Sequence, residues 1–574
     1  MSSPRLRVQF ETLFEHYDGI DLGVQLEEIT DILCCTRRNA RIVLNKMEEE
    51  GWIEWRPSPG RGKLSQLNFK RSRTDVSENL ARRYLEEGKI GQALKVLDQD
   101  AAKLARVVES YLGVQVQEGQ QVVRLPYYRP LLSLNPHKNM RRSELHIVRQ
   151  IFSGLTRLDE NEQLVPDLAH TWEMLSPRHW RFYIRPAVRY HNGDLLSVEA
   201  IIECLMALRS RNLFAHIETV HSQQKNVVDI NLSQDDYHFA LLMAESCAKV
   251  MLPSSERSAD YDQFPIGTGP YKITQNDEKR LTIQAFDGYF GFRPLVDSVE
   301  VWVIDAVHSS MVFPSLSKPC APEAITISDE VELDPGCTYL LLNRNNGLAK
   351  SDDWARYFSQ RLSSLNVFQL LPQDKIVELG ALPAHGLKPG WYHHTRQAHY
   401  SPPPSYRTVK IAYHAKHPMF PTLVKCLETL LKQDNLEVEL ITYDMEMPDN
   451  EQVDIWVKPM GIANNRDDAI AGWLLDYSDI EHLSREQDFA QWSEVVTQYR
   501  SEEFATFPAQ NIGKSLADKM QLIPMFHCWL GVSKDQCGSL QNAKCNALGW
   551  FDFSKVWIKP NMLNERGFHH GETQ

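Results

Sequence analysis

The chain lacks most of what would mark an enzyme, a membrane protein or a disulfide-built scaffold. Ten cysteines are scattered over 574 residues without one Cys-x-x-Cys pair. Neither a disulfide framework nor a zinc knuckle is indicated, and reduced thiols are expected. No apolar run approaches the ~18–20 residues needed to cross a bilayer; the longest, such as Tyr339-Leu340-Leu341-Leu342, are strand-sized. Glu11 and Glu15 fall where a signal peptide would carry its apolar stretch, so a cytoplasmic chain is expected. Gly-x-Ser-x-Gly, His-Glu-x-x-His, Walker-type and dinucleotide fingerprints are missing. Gly267-x-Gly269 is followed by Pro270 and reads as a turn. His393, His394, His414 and His417 do not fall at metal-ligand spacing and read as loop and surface histidines. No catalysis, cofactor or resident metal is expected. Basic excess is lacking too: Lys and Arg total 62 against 75 Asp and Glu, a formal charge of −13. That excludes a protein that coats nucleic acid with its whole surface, while leaving room for a small basic module.

The N-terminus supplies such a module. Leu6, Phe10, Leu13, Phe14 and Tyr17 recur at steps of three and four, the stripe of an amphipathic helix over residues 5–17. Asp18-Gly19 ends it. Leu26, Ile29, Ile32 and Leu33 mark a second, short helix, and Thr36 is a suitable N-cap for a third. In that third helix Ala40, Val43, Leu44 and Met47 share one face. Arg38, Arg41 and Asn45 share the other, with Arg37 and Asn39 at its N-terminal edge. Two β-rich runs around the Pro/Gly loop that carries Arg61 and Lys63 read as a hairpin.

Three helices followed by a hairpin with a basic tip form a winged helix-turn-helix. A helix fits the B-form major groove and offers Arg and Asn to base edges, while wing cations reach phosphates or a minor groove. The charge distribution agrees. Residues 34–73 carry ten positive and four negative side chains, residues 1–33 two and seven. Thr36, Arg37, Arg38, Asn39, Arg41, Asn45, Arg61 and Lys63 are therefore the expected DNA-binding residues, and double-stranded promoter DNA the expected partner. A helical pattern over 74–112, broken at Gly88 and Gly91, reads as a connector.

Beyond residue 122 the texture turns α/β. Gly154-Leu155-Thr156-Arg157 and Pro166-Asp167-Leu168-Ala169-His170-Thr171-Trp172-Glu173 are followed by Arg185-x-x-Val188-x-x-His191-x-Gly193. Pro265-Ile266-Gly267-Thr268-Gly269-Pro270-Tyr271 comes next. In this order the four strings resemble the large solute-binding proteins of peptide, nickel and oligosaccharide transporters. Gly472-Trp473-Leu474-Leu475-Asp476-Tyr477-Ser478-Asp479 is similar to the cleft segment of the peptide binders, whose aspartate holds a ligand ammonium group. Trp473, Asp476 and Tyr477 are on that resemblance the expected ligand-binding residues.

Joined to a winged helix, such a body resembles the SgrR-type regulators of sugar-phosphate stress. The strings that carry this likeness include Cys35-Thr36-Arg37-Arg38, Gly60-Arg61-Gly62-Lys63, Leu125-Pro126-Tyr127-Tyr128-Arg129-Pro130-Leu131 and Leu548-Gly549-Trp550-Phe551-Asp552-Phe553.

The resemblance implies a multidomain fold. Residues 1–73 form the winged helix-turn-helix, 74–118 a helical connector and 119–574 a two-lobed α/β solute-binding body, its second lobe at roughly 305–500. It implies a regulator that activates a small-RNA gene, with a neighbouring sugar-efflux gene as a further candidate target, and that represses its own gene. The effector would be a phosphosugar or related metabolite, with a peptide as the other class that the cleft segment allows. A carboxylate beside a phosphate would gain nothing, so Asp476 fits an amine better than a phosphosugar. The competing reading is a solute-binding protein whose winged helix contacts protein rather than DNA.

Overall fold

The structure, a computed structural model, describes residues 4–58, 63–86, 89–97, 107, 112–117, 119–138, 140–304, 330–392, 401–444, 448–449, 453–476, 479–532 and 539–560. Two compact units account for them. One comprises residues 1–112 with 306–311, the other 113–305 with 312–574.

The first unit begins with helix α1 (Pro4–His16), strand β1 (Leu22–Val24), helix α2 (Leu26–Ile32) and helix α3 (Arg37–Glu49). Strands β2 (Ile53–Arg56) and β3 (Ser65–Phe69) follow, then helices α4 (Arg73–Glu86) and α5 (Ile90–Val96). The strands form an antiparallel sheet in the order β1-β3-β2. Strand β1 was not expected: at three residues it is too short to show an alternating pattern, and its pairing with Ser65, Gln66 and Leu67 creates it. Phe10, fully buried on α1, meets Trp52 and Phe69 edge-on at 5.5 and 6.0 Å. Gly19 turns the chain at φ +68, and a Cβ there would lie 2.4 Å from the Phe14 ring.

Helices α4 and α5 are not a free spacer. Val76 of α4 is buried in the same core as Phe10, Leu44 and Trp52. Arg7 on α1 donates to the Val96 carbonyl at 2.6 Å, and Ser77 Oγ donates to Glu11 at 3.3 Å.

In the second unit the boundary expected at residue 118 moves earlier. Gly113–Gln117 is already a strand, paired antiparallel with Gln120–Tyr127. That hairpin ends a five-stranded sheet in which Ser298–Val303 runs parallel to Gln120–Tyr127. A four-stranded antiparallel sheet lies nearby in sequence, in the order Ala169–Ser176, His179–Ile184, Val227–Leu232 and Ile217–His221. The other large element is a seven-stranded sheet. Its 11-residue strand Leu522–Val532 pairs with Glu330–Leu333, Thr338–Leu342 and Ala381–Pro383. The second lobe therefore does not stop near residue 500, because this long strand returns to it.

Burial explains the continuous apolar run in Thr338–Leu342. Tyr339 and Leu341 join one core, and Leu340 and Leu342 join another across the sheet. A strand covered on both faces needs no polar alternation. The glycines of the Pro265-Ile266-Gly267-Thr268-Gly269-Pro270-Tyr271 string serve a close approach. A Cβ on Gly267 would come 2.2 Å from the Ile151 carbonyl, which accepts a 2.8 Å bond from the Gly269 amide.

Among the described residues no helix is long and apolar enough to cross a membrane, and no group of three or more side chains could hold a metal ion. His414 is not a surface residue: it ends the buried strand Thr408–His414, 3.1 Å from Asp444. His417 stacks on Phe420 at 3.6 Å. His393 and His394 lie outside the described residues.

Candidate functional site

Helix α3 starts where its sequence places a cap. Thr36 is extended (φ −73, ψ 153), and its hydroxyl accepts from the Asn39 amide at 3.3 Å, satisfying one of the donors a helix start leaves open. Cys34, with φ +46, makes the tight turn out of α2. Ala40, Val43, Leu44 and Met47 are buried. That inward stripe sends Arg37, Arg38, Arg41 and Asn45 outward, all exposed, with Asn39 half-buried.

The outward residues differ in what holds them. Arg37 is ion-paired to Glu27 of α2. Among the described residues Arg38 and Arg41 meet no carboxylate. The nearby acidic side chains are engaged elsewhere. Glu48 accepts from the Trp55 amide at 3.0 Å. Hydrogen bonds from Lys70 and Arg56 hold the Glu54 carboxyl down at about 2. Lys63 is exposed beyond β2; Arg61 falls outside the described residues. The arrangement is an exposed helix face on which Arg38 and Arg41 meet no carboxylate among the described residues, which suits a polyanion.

The second unit holds a cavity lined by Arg149, Asp236, His238, Glu245, Asp468, Gly472, Tyr499 and Arg500, with apolar side chains between them. His238 stacks on Tyr499 at 4.3 Å. Fully buried Asp236 lies 3.0 Å from His216 Nε2 and 3.7 Å from Arg500 Nε. Arg466 grips Asp468 through two bonds of 3.0 and 2.9 Å. Burial, reinforced by the charges of Asp476 and Asp468 and opposed by Arg149, pushes the Glu245 carboxyl up to about 7.

The expected ligand residues sit otherwise. Helix Ala469–Leu475 turns Gly472 to the cavity, where a Cβ would lie 3.5 Å from Glu245 Oε1. Trp473 points away into the core, 1 % exposed and edge-on to Tyr339 at 5.7 Å. Asp476 is paired: Arg211 Nε donates to its Oδ1 at 2.5 Å, its side chain is 3 % exposed, and its Oδ2 is buried without a hydrogen-bond partner among the described residues. Neither residue lines this cavity, because packing against Tyr339 and pairing with Arg211 depend on segments distant in sequence. Tyr477 is outside the described residues. Arg149, Glu245, His238 and Tyr499 were not anticipated as cavity residues, since no local motif distinguishes them.

Comparison with known proteins places both units. Residues 5–119 match the family described as sugar transport-related sRNA regulator, N-terminal. Residues 163–312 match the middle region of bacterial extracellular solute-binding proteins, family 5. Among solved structures, OppA of Burkholderia pseudomallei covers 77 % of this chain over 100 % of its own, with TM-score 0.62 and 13 % identity. The murein tripeptide-binding protein MppA of Escherichia coli gives 0.60 and 13 %, over 77 % of this chain and 99 % of its own. At that identity they show the fold of the body alone. The HTH-type transcriptional regulator SgrR of Pectobacterium atrosepticum is 34 % identical over 98 % of this chain and 100 % of its own. That of Photorhabdus laumondii is 31 % identical over the same shares. With likeness of that extent from end to end, the chain belongs to the SgrR family of HTH-type transcriptional regulators, which are not enzymes.

Proposed function

We propose that residues 1–73 act as a winged helix-turn-helix that reads promoter DNA, and that the solute-binding body senses a small molecule and biases that binding. Helix α3 is the recognition element. Arg38, Arg41 and Asn45 face the major groove, Thr36, Arg37 and Asn39 set its N-terminal edge, and Arg61 and Lys63 reach phosphates from the wing. The observation that carries this reading is the outward row of unneutralised Arg38 and Arg41 on a capped helix whose other face is buried. The family points to activation of a small-RNA gene under sugar-phosphate stress, repression of the regulator's own gene, and action in the cytoplasm.

The effector is a phosphosugar or related metabolite. The family supports that class, and a peptide or amine is the other class, since the cavity wall sets Arg149 and Arg500 beside Asp236, Glu245 and Asp468. A bound effector shifts DNA affinity only by its differential affinity for two states of the protein, typically ~1–3 kcal/mol of coupling. The test is binding of the full chain to its own upstream duplex and to a shuffled duplex, with and without glucose 6-phosphate. A preference for the upstream duplex that the sugar phosphate alters is expected. Equal affinity for both duplexes would favour the protein-contact reading instead.

A further inference from the structure

The body holds one half-buried arginine, Arg141, that meets no carboxylate among the described residues. It is the N-cap residue of the helix Arg142–Ile151, where its side chain makes no capping bond. Its guanidinium donates from Nη2 to the Asp444 carbonyl, while Nη1 is buried with no hydrogen-bond partner. A buried donor left unmade costs the full desolvation of the group, and more when the group is charged. The arginines beside it differ: Arg129 is bound by Glu144, and Arg142 by Asp334.

The nearby carboxylates are committed. Glu144 accepts from both terminal nitrogens of Arg129. Asp444 gives Arg141 only its backbone oxygen, while its carboxylate meets His414 at 3.1 Å and Lys416 at 2.9 Å. The surroundings are accordingly positive. Burial, then the charges of Arg141 and Arg129, pushes the His414 imidazole down to about 4 against the pull of Asp444. Burial, then His414 and the same guanidinium groups, pushes His417 down to about 3. Donors without acceptors gather here too: besides Arg141 Nη1, the Nε atoms of Arg129 and Arg142 are buried and unpartnered.

These groups come from two parts of the body. Arg129, Arg141 and Arg142 follow Gln120–Tyr127 of the five-stranded sheet. His414 and Asp444 stand at the ends of Thr408–His414 and Glu437–Tyr443, paired parallel strands of the seven-stranded sheet. An uncompensated cation and surplus donors at this junction lack one thing, a negatively charged acceptor.

We propose that Arg141 anchors the oxyanion group, phosphate or carboxylate, of the ligand that the body senses. The inference rests on the reading of the body as a small-molecule sensor and names the group by which the ligand is held. A guanidinium presents parallel N–H donors that match an oxyanion, and no internal carboxylate competes for those of Arg141. An uncharged sugar would leave its charge uncompensated.

Inorganic phosphate, glucose 6-phosphate and acetate, with glucose as the uncharged control, are titrated calorimetrically into the full chain and into Arg141→Met, and melting temperatures are recorded with and without each. Binding of at least one anion, weakened at least tenfold in Arg141→Met, is expected. Preference for phosphate and glucose 6-phosphate identifies a phosphoryl group, preference for acetate a carboxylate. Arg141→Lys, which keeps the charge without the fork, should retain part of the affinity. Since Arg141→Met removes an uncompensated charge from a partly buried position, its anion-free melting temperature should not fall. Equal anion affinities in parent and Arg141→Met, no binding of any of the three anions, or a melting temperature that falls while anion binding persists overturn the proposal. The sensor reading fails separately, when none of these ligands alters the duplex preference of the full chain. An effect of glucose 6-phosphate on that preference that persists unchanged in Arg141→Met keeps the sensor and removes Arg141 from it.

Discussion

Arginines do opposite work in the two units. On α3, Arg38 and Arg41 stand in solvent without a carboxylate among the described residues. In the body, Arg129 is bound through both terminal nitrogens to Glu144, with side chains 3 and 8 % exposed. Arg142 pairs with Asp334 and donates to the Ala547 carbonyl at 2.5 Å, and Arg211 holds Asp476. These three body arginines are internal cross-links between segments 15 to several hundred residues apart. Of the arginines on α3, Arg37 pairs with Glu27, while Arg38 and Arg41 are kept as surface charge. The same side chain is therefore a structural or a recognition residue according to whether a carboxylate has been buried beside it.

Breaking a body pair gives the largest expected effect. Arg129→Ala or Arg211→Ala strands a buried carboxylate and should destabilise the body by about 3–5 kcal/mol. Loss of the corresponding thermal transition is the measurement; an unchanged melting temperature would mean that the pairs are dispensable.

A smaller effect, dependent on pH, is expected from Glu245. Its carboxyl is raised from 4.5 to about 7, so the fold favours its neutral form. That contribution is complete below about 4.5 and is lost as pH rises through about 7. Melting temperatures of the chain should fall across this window relative to Glu245→Gln, which stays neutral; parallel pH profiles would contradict the raised value.

Thr36→Ala removes the cap on α3 and should cost about 1 kcal/mol in the N-terminal unit, read from its unfolding transition. Arg41→Ala sharpens the comparison from the other side. As an exposed, unpaired residue it should alter stability by no more than about 0.5 kcal/mol, against the several kcal/mol of a body arginine.

The same contrast explains what was legible in the sequence. Helix α3 could be read because its cap, its buried stripe and its charged face all lie within 12 residues, where the 3.6-residue period is visible. The turn at Gly267-x-Gly269 could be read as a turn, although its reason, the approach to Ile151, could not. Strand β1 was missed because three residues carry no period. The cleft segment is more instructive. Its string marks the helix Ala469–Leu475, but a string cannot show that Gly472 rather than Trp473 faces the cavity. Nor can it show that Arg211, 265 residues away, already occupies Asp476. Strand register and ion pairing across such distances belong to tertiary structure.

The most direct test of the account is fluorescence anisotropy of the full chain on its own upstream duplex, comparing it with Arg38→Ala/Arg41→Ala while recording the melting temperature of each. The account predicts affinity at least tenfold weaker in the variant, about 1.4 kcal/mol or more, at an unchanged melting temperature. Undiminished affinity would show that these arginines are not the DNA-reading residues, and a loss that appears only together with unfolding would make them structural.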